Sequence, residues 1–212
     1  TGHTDERTLY IQRPGAPNVS VRRSALSAAY LGGSVQTENL SFRSLAARTV
    51  VVHTLTYIVV GAIAAAVLGY KDLFALPELS CFMRPIGDRW VMAGPLFQPL
   101  RGMLFASVFF ILRERLFLQD RGWLAMWWIL VAIGVFSTFG PAPASVEGLV
   151  YTRVPWPAQV RGLPEVLVQS LLLSSVLYVW VRNPDRRWLS WVLGAMFVLA
   201  MAMVTLGLLL PQ

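Results

Sequence analysis

The sequence predicts an all-α fold: a polytopic membrane protein with five transmembrane helices, preceded by a basic N-terminal extension. Of the 212 residues, 56% are hydrophobic and only 14% are charged. Soluble domains carry about 25% charged residues, so this composition is typical of a membrane protein. The net charge of +7 comes almost wholly from arginine, and the arginines lie at the ends of apolar runs. That distribution favours membrane topology over nucleic-acid binding.

The N-terminal extension, residues 1–48, is polar and basic and is interrupted by "RPGAPN" and "LGG". The stretch "SVRRSALSAAYLGG" predicts one short helix that ends at Gly32 or Gly33. "SFRSLAAR" predicts a helical lead-in to the first span, with Ser41 as its N-cap. Two roles stay open for this extension: a cytoplasmic tail on anionic lipid headgroups, or a docking arm that orders on a partner subunit.

The transmembrane domain, residues 49–212, contains five apolar stretches. Each approaches the roughly 17 to 25 mostly apolar residues that a membrane-spanning helix needs. The second and fourth stretches begin with polar residues, so their starts are the least defined by the sequence. The five predicted spans are 50–69, 95–112, 123–139, 163–181 and 188–210.

Arginine placement predicts the orientation of these spans. Residues 1–48 and the short turns 113–122 and 182–187 carry 12 arginines, whereas the longer connections 70–94 and 140–162 carry four. The positive-inside rule therefore places the N-terminus and both short turns in the cytoplasm, and five crossings leave the C-terminus outside. Tryptophans cluster near the predicted borders, as expected of an aromatic belt. We expect a bacterial cytoplasmic membrane, with an energy-transducing organelle membrane as the alternative.

Three spans carry polar side chains in the same half of the bilayer. A helix rises about 1.5 Å per residue, so Arg101, counted from position 112, lies about 16 Å into a hydrocarbon layer about 30 Å thick. An arginine exposed to lipid there costs about 2.5–3.5 kcal/mol, so we expect these groups to face one another or a wet cavity. The predicted polar layer consists of Gln98, Arg101, Ser137, Thr138, Glu165 and Gln169.

The spacing within this polar layer predicts two shared helix faces. Gln98 lies three residues before Arg101, and Glu165 lies four before Gln169, so each pair shares a face. Arg101 and Glu165 are expected to be close enough for an ion pair. That pair would lock two helices together or bind a ligand; alternatively, Arg101 extends to the outer headgroups. Static packing is favoured over ligand binding because a partner carboxylate is within reach.

The sequence predicts no cofactor and no metal site. The chain has two histidines, His3 and His53, and one cysteine, Cys81. These are too few for a His/Cys metal cluster or for a bis-histidine haem within the spans. A single pigment or haem ligated by His53 is the remaining alternative, whereas a lone histidine at a span end is usually hydrogen-bonded there. No P-loop, G-x-G-x-x-G, H-E-x-x-H or G-x-S-x-G motif is present.

Small residues predict sites of close helix packing. Gly61, Ala65 and Gly69 recur every four residues in the first span, and Ser190 and Gly194 begin a similar stripe in the fifth. Such stripes let a second helix approach closely. That second helix belongs either to this chain or to a partner subunit.

These features lead to three functional hypotheses. The first is a non-enzymatic integral membrane subunit of a larger complex, because catalytic motifs are absent and the basic extension suits docking. The second is a small transporter or a lipid- or anion-binding membrane protein that uses the polar layer. The third is a membrane-embedded enzyme acting on lipid or quinone, with Glu165 as acid or base. Expected partners are membrane lipids and other membrane subunits, not nucleic acid.

Overall fold

A computed structural model of the chain describes residues 9–11, 19–21 and 40–209. Two units are separated at position 41: Thr1–Ser41 and Phe42–Gln212. In the first unit, strand β1 (Leu9–Ile11) pairs antiparallel with strand β2 (Val19–Val21). The helix predicted from "SVRRSALSAAYLGG" overlaps β2 at its first two residues, and its remainder lies outside the described residues, as does His3.

All the regular secondary structure in the described part of the second unit is helical. Besides its α-helices it contains a 3-10 turn, Gly94–Phe97, and a π-helical segment, Ala132–Phe136. Its α-helices are α1 (Phe42–Val67), α2 (Tyr70–Phe74), α3 (Pro77–Ser80), α4 (Arg89–Met92), α5 (Gln98–Ile111), α6 (Arg113–Phe117), α7 (Gly122–Val131), α8 (Val146–Tyr151), α9 (Trp156–Arg161), α10 (Leu163–Arg182) and α11 (Arg187–Leu209).

Four helical stretches are long and apolar enough to cross a membrane, as expected of an α-helical membrane protein. They are Phe42–Val67, Gly94–Ile111, Trp156–Arg182 and Arg187–Leu209. The predicted helical lead-in is confirmed, because α1 begins directly after Ser41. The fourth and fifth predicted spans coincide with α10 and α11.

The third predicted span is shorter than expected. Its helix covers only Gly122–Phe136, and the last part of it is π-helical. At about 1.5 Å per residue such a helix measures about 22 Å, less than the roughly 30 Å of a typical hydrocarbon layer. The helix ends because the backbone leaves helical geometry at Ser137, whose φ is −120° and ψ is 53°.

The prolines of the second and fourth spans start helices instead of interrupting them. Pro95, Pro99 and Pro164 all lie in the first turn of their helical segments. A proline there removes no intrahelical hydrogen bond. The Gly94 carbonyl, at the start of the 3-10 turn, accepts a hydrogen bond from the Gln98 side-chain amide at 3.2 Å.

Helix α1 is the centre of the bundle: it packs against α5, α10 and α11, and α10 also packs against α7. Helices α1 and α5 approach each other closely: a Cβ atom on Gly102 would lie 2.8 Å from the Cα of Val50. Only glycine fits this crossing. Ala106, one turn later on α5, is fully buried.

Polar bonds connect the ends of the helices at the short turns. The Tyr178 hydroxyl donates to the carbonyl of Gln119 at 2.8 Å, and Arg182 forms an ion pair with Asp120 at 3.2 Å. The Arg48 guanidinium donates to the carbonyl of Trp180 at 3.3 Å. We call this region, where Phe42, Ile111 and Arg182 lie, the packed end of the bundle.

Candidate functional site

A cavity of about 1030 Å³ lies at the opposite end of the bundle. Its walls come from the second half of α1, the connection from α2 to the 3-10 turn, the π-helical segment, and the start of α10. Most lining side chains are apolar, as in typical ligand pockets, which measure roughly 300–1,000 Å³. The polar residues that line it include Tyr57, Tyr70, Arg84, Thr138, Gln159 and Glu165.

Glu165 is the central polar group of the cavity. It lies in the first turn of α10 and is partly buried. The Tyr70 hydroxyl donates a hydrogen bond to its Oε2 atom. Its Oε1 atom lies 3.4 Å from the position that a Cβ on Gly61 would occupy. The absent side chain at Gly61 therefore leaves space beside the carboxylate.

Tyr70 follows a turn at the end of α1. Gly69 adopts a left-handed conformation with φ of 62°, which glycine tolerates best, and α2 begins at the next residue. Burial, followed by the hydrogen bond to the Glu165 carboxylate and its negative charge, raises the pKa of Tyr70. The phenol therefore remains a neutral hydrogen-bond donor at ordinary pH.

The π-helical segment forms another wall of the cavity through Gly134 and Val135. A Cβ on Gly134 would meet no atom within 4 Å, so this wall is loosely packed. Short π-helical segments within α-helices frequently occur at functional sites. Thr138, just beyond the segment, donates to the carbonyl of Gly140 at 2.7 Å and also lines the cavity.

Gln159 organises the loop that covers the cavity. Its side chain is only 3% exposed. The amide nitrogen donates to the Val154 carbonyl at 2.9 Å, and the amide oxygen accepts from the Ala144 backbone at 3.3 Å. Ala144 itself has a φ of 67°, a conformation that an alanine rarely adopts. These bonds hold the proline-rich loop in one shape. The amino-acid composition of the loop does not reveal that shape.

The predicted polar layer is divided by the structure. Thr138 and Glu165 line the cavity; Gln98, Arg101, Ser137 and Gln169 do not. Ser137 is exposed, and Gln169 is partly buried.

Arg101 does not meet Glu165. It is exposed and lies over the Phe105 ring at 5.4 Å, although it is close enough to interact electrostatically with Tyr57. Between residues 40 and 209, the ion pairs are Arg84–Asp88 and Arg182–Asp120, so the expected Arg101–Glu165 pair is not formed. Tyr70, the first residue of the short helix α2, is the partner that sequence reasoning missed.

Gln98 instead pairs with His53 on α1. The His53 Nε2 atom lies 3.1 Å from the Gln98 Oε1 atom, and the Gln98 amide nitrogen donates to the Gly94 carbonyl at 3.2 Å. Because this second bond orients the amide, its oxygen faces His53, and Nε2 must carry the proton. Nε2 is therefore paired with Gln98, whereas Nδ1 has no hydrogen-bond partner in the described structure. A single pigment or haem ligated by His53 stays a prediction. His53 is 1% exposed and lies edge-on to Phe105.

The predicted small-residue stripes lie in different surroundings. Gly61 and Ala65 line the cavity, and Gly69 forms the turn after α1. Ser190 accepts a hydrogen bond from the Trp180 indole at 3.0 Å, whereas a Cβ on Gly194 would meet no atom within 4 Å. A partner helix on either stripe stays a prediction.

Within the described parts of the chain, no group of three or more His, Cys, Asp or Glu side chains is placed to hold a metal ion. Comparisons of the chain with protein-family models, with curated proteins and with solved structures find no match. The functional argument therefore rests on the cavity and its side chains. Their arrangement offers an apolar chamber with a carboxylate acceptor at one side.

Proposed function

We propose that the protein binds a single-chain amphipathic molecule of the lipid class in the cavity. The observation that carries this proposal is an apolar chamber of about 1030 Å³ with Glu165, Tyr70 and Tyr57 among its few polar lining groups. The apolar part of the ligand would lie against the aliphatic and aromatic walls. The polar part would lie beside the Glu165 carboxylate.

The location of the cavity supports a ligand drawn from the membrane. It lies between the ends of helices that are long enough to span a bilayer, beneath the connections 68–93 and 137–162. We place this end on the non-cytoplasmic side, with the arginine-rich extension and short turns in the cytoplasm, because positive residues favour that side. In this topology the short helix Gly122–Phe136 crosses as a fifth span, and the C-terminus lies outside.

Filling the cavity should test this function. In lipid nanodiscs, a photoactivatable alkyl probe should label cavity residues, and peptide mass spectrometry should locate the adducts. Replacing Ala65, which lines the cavity, with tryptophan should reduce this labelling at least tenfold. Ala66→Trp is the matched control, because Ala66 is exposed on the same helix and does not line the cavity. Equal labelling of both variants would contradict the proposal.

A second candidate function is that of an integral subunit of a larger membrane complex, with the basic extension as a docking arm. Helix α11 favours it: along its 23 described residues none is buried, and Trp191, Leu199 and Met203 are prominently exposed. Lipid or a partner helix would cover this surface. The test is to extract the protein gently in native lipid and to measure the mass and protein content of the particle obtained. These values would distinguish a stoichiometric complex from an isolated chain.

The enzymatic hypothesis depends on the same carboxylate. Glu165 with the Tyr70 hydroxyl could exchange a proton with a bound lipid or quinone. Glu165→Gln keeps the shape of the side chain but removes its basicity. Turnover that survives this replacement would exclude Glu165 as the acid or base.

A further inference from the structure

The charged groups that line the cavity are Arg84 and Glu165, as far as the described residues are concerned. Arg84 is already paired: it lies 3.4 Å from an Asp88 carboxylate oxygen and 5.9 Å from the centre of the Trp90 ring. Its side chain is also 58% exposed. Glu165 has no ion pair in the described part of the chain, so the carboxylate is the uncompensated charge of the cavity.

The hydrogen-bonding capacity of Glu165 is only partly used. A carboxylate offers about four lone-pair sites. Among the described residues, the hydrogen bond it accepts comes from Tyr70, at Oε2. The Oε1 atom is on the Gly61 side, 3.4 Å from the position of a Cβ that glycine lacks, and the described residues show no hydrogen bond to it. A ligand group that reaches this oxygen must donate a hydrogen bond.

Arg101 does not offset the negative charge of Glu165 enough for the cavity to favour an anion. Its side chain is exposed on α5, it does not line the cavity, and it lies over the Phe105 ring. An anionic headgroup would meet the Glu165 carboxylate first. A cationic donor would gain both the hydrogen bond and the charge attraction, and such charge-assisted bonds are roughly twice as strong as neutral ones.

From this geometry we infer that the polar end of the ligand is a primary ammonium group, which donates to Oε1 of Glu165. The inference rests on the proposed amphiphile-binding function and names its headgroup chemistry. Tyr70 has a positioning role, because its hydroxyl holds the other carboxylate oxygen. The walls that receive the alkyl chain include Ile58 and Val135.

The test uses three probes with the same twelve-carbon chain: dodecylammonium, dodecanol and dodecyl phosphate. Each competes with the photoactivatable alkyl probe for labelling of cavity residues in nanodiscs made from a zwitterionic lipid. Dodecylammonium should compete at a concentration at least tenfold lower than either of the others. Glu165→Gln should remove this tenfold preference, because the variant loses the charge-assisted bond to the ammonium group. Competition by dodecanol should stay within about threefold of its wild-type value.

A second variant keeps the result interpretable if Glu165→Gln folds poorly. Tyr70→Phe retains the carboxylate and should keep the ammonium preference. If dodecanol or dodecyl phosphate competes best, the headgroup inference is overturned, although the amphiphile-binding function stands. If none of the three competes and the alkyl probe does not label the cavity, the proposed function itself fails.

Discussion

Val50 and Gly61 lie about three turns apart on α1, yet their surroundings are opposite. The backbone of Val50 lies so close to α5 that Gly102 cannot carry a side chain there. Gly61 faces a cavity of about 1030 Å³ and the carboxylate of Glu165. The same helix therefore belongs to a tight interface at the packed end and to the wall of a chamber at the other.

This difference shows how a small bundle combines rigidity with space for a ligand. At the packed end, Leu45, Phe109 and Leu177 are at most 1% exposed. At the cavity end, glycine and π-helical backbone form part of the chamber wall, beside a small cluster of buried side chains, Leu73, Leu79 and Val154. In a membrane, helix association depends on close packing and polar bonds because lipid removes most of the hydrophobic driving force. We therefore expect the packed end to supply most of the stability.

Gly102→Leu should have the largest effect on stability. A side chain at this position would collide with the Val50 backbone, and overpacking of this kind costs about 1–3 kcal/mol or more. Thermal unfolding in detergent would measure the loss. Gly134→Ala is the control at the cavity end, where a Cβ meets no atom within 4 Å, and it should unfold close to the wild-type temperature. If both variants unfold at the same temperature, the packed end is not the more tightly packed region.

Gln98→Leu should have the next largest effect. It removes the hydrogen bond to His53 Nε2, and Nδ1 of this buried ring already lacks a partner in the described structure. Leaving a buried donor unpaired costs about 1–3 kcal/mol. Gln169→Leu is the matched control: Gln169 is only partly buried, and we expect a change within about 0.5 kcal/mol. Equal losses in the two variants would contradict the role assigned to the His53–Gln98 pair.

The long helices and part of the site could be predicted because they depend on local patterns. Apolar length predicts α1, α10 and α11, and a polar residue within an apolar helix identifies Glu165. The tight crossing could also have been predicted, since Gly102 and Ala106 are small residues spaced by four. Their sequence context is "LRGMLFAS", and both are buried.

Other features depend on contacts that a linear pattern does not contain. Tyr70 meets Glu165 across 95 positions of sequence, and it does so because of the turn at Gly69. His53 meets Gln98 across 45 positions. The helix of the third predicted span ends early because its backbone hydrogen bonding changes at Ala132–Phe136. A count of apolar residues does not detect this change.

Tyr70→Phe should have a smaller effect on stability, with a distinctive pH dependence. Losing the bond to Glu165 should cost about 0.5–1.5 kcal/mol, since the phenol is only partly buried. Because the pKa of Tyr70 is raised in the folded state, folding holds this proton more tightly than the unfolded chain does. The stabilisation that protonated Tyr70 gives the folded state is therefore complete below the ordinary tyrosine pKa of about 10, and it is lost as the pH rises above that value.

Urea or thermal unfolding at pH 8 and at pH 11 would measure this dependence. The wild-type protein should lose stability between the two values by more than the Tyr70→Phe variant does. Parallel losses in both proteins would show that Tyr70 does not carry the alkaline sensitivity. Tyr151→Phe is a suitable control, because Tyr151 is 74% exposed.

Arg101→Leu should have the smallest effect, despite the unusual position of a charge within an apolar helix. Its helical stretch begins at Gly94, so Arg101 lies about 10 Å from that end, within reach of the interface for a side chain that extends outward. Its guanidinium lies 5.4 Å from the centre of the Phe105 ring, a contact worth about 0.5–1 kcal/mol at an exposed site. Arg113→Leu should lose more stability, because the Arg113 guanidinium donates to the Phe110 carbonyl at 3.0 Å.

Binding of the dodecylammonium probe should be unchanged in Arg101→Leu, since the charge lies outside the cavity. A variant that gained affinity for ammonium or lost it by tenfold would show that Arg101 acts on the cavity after all.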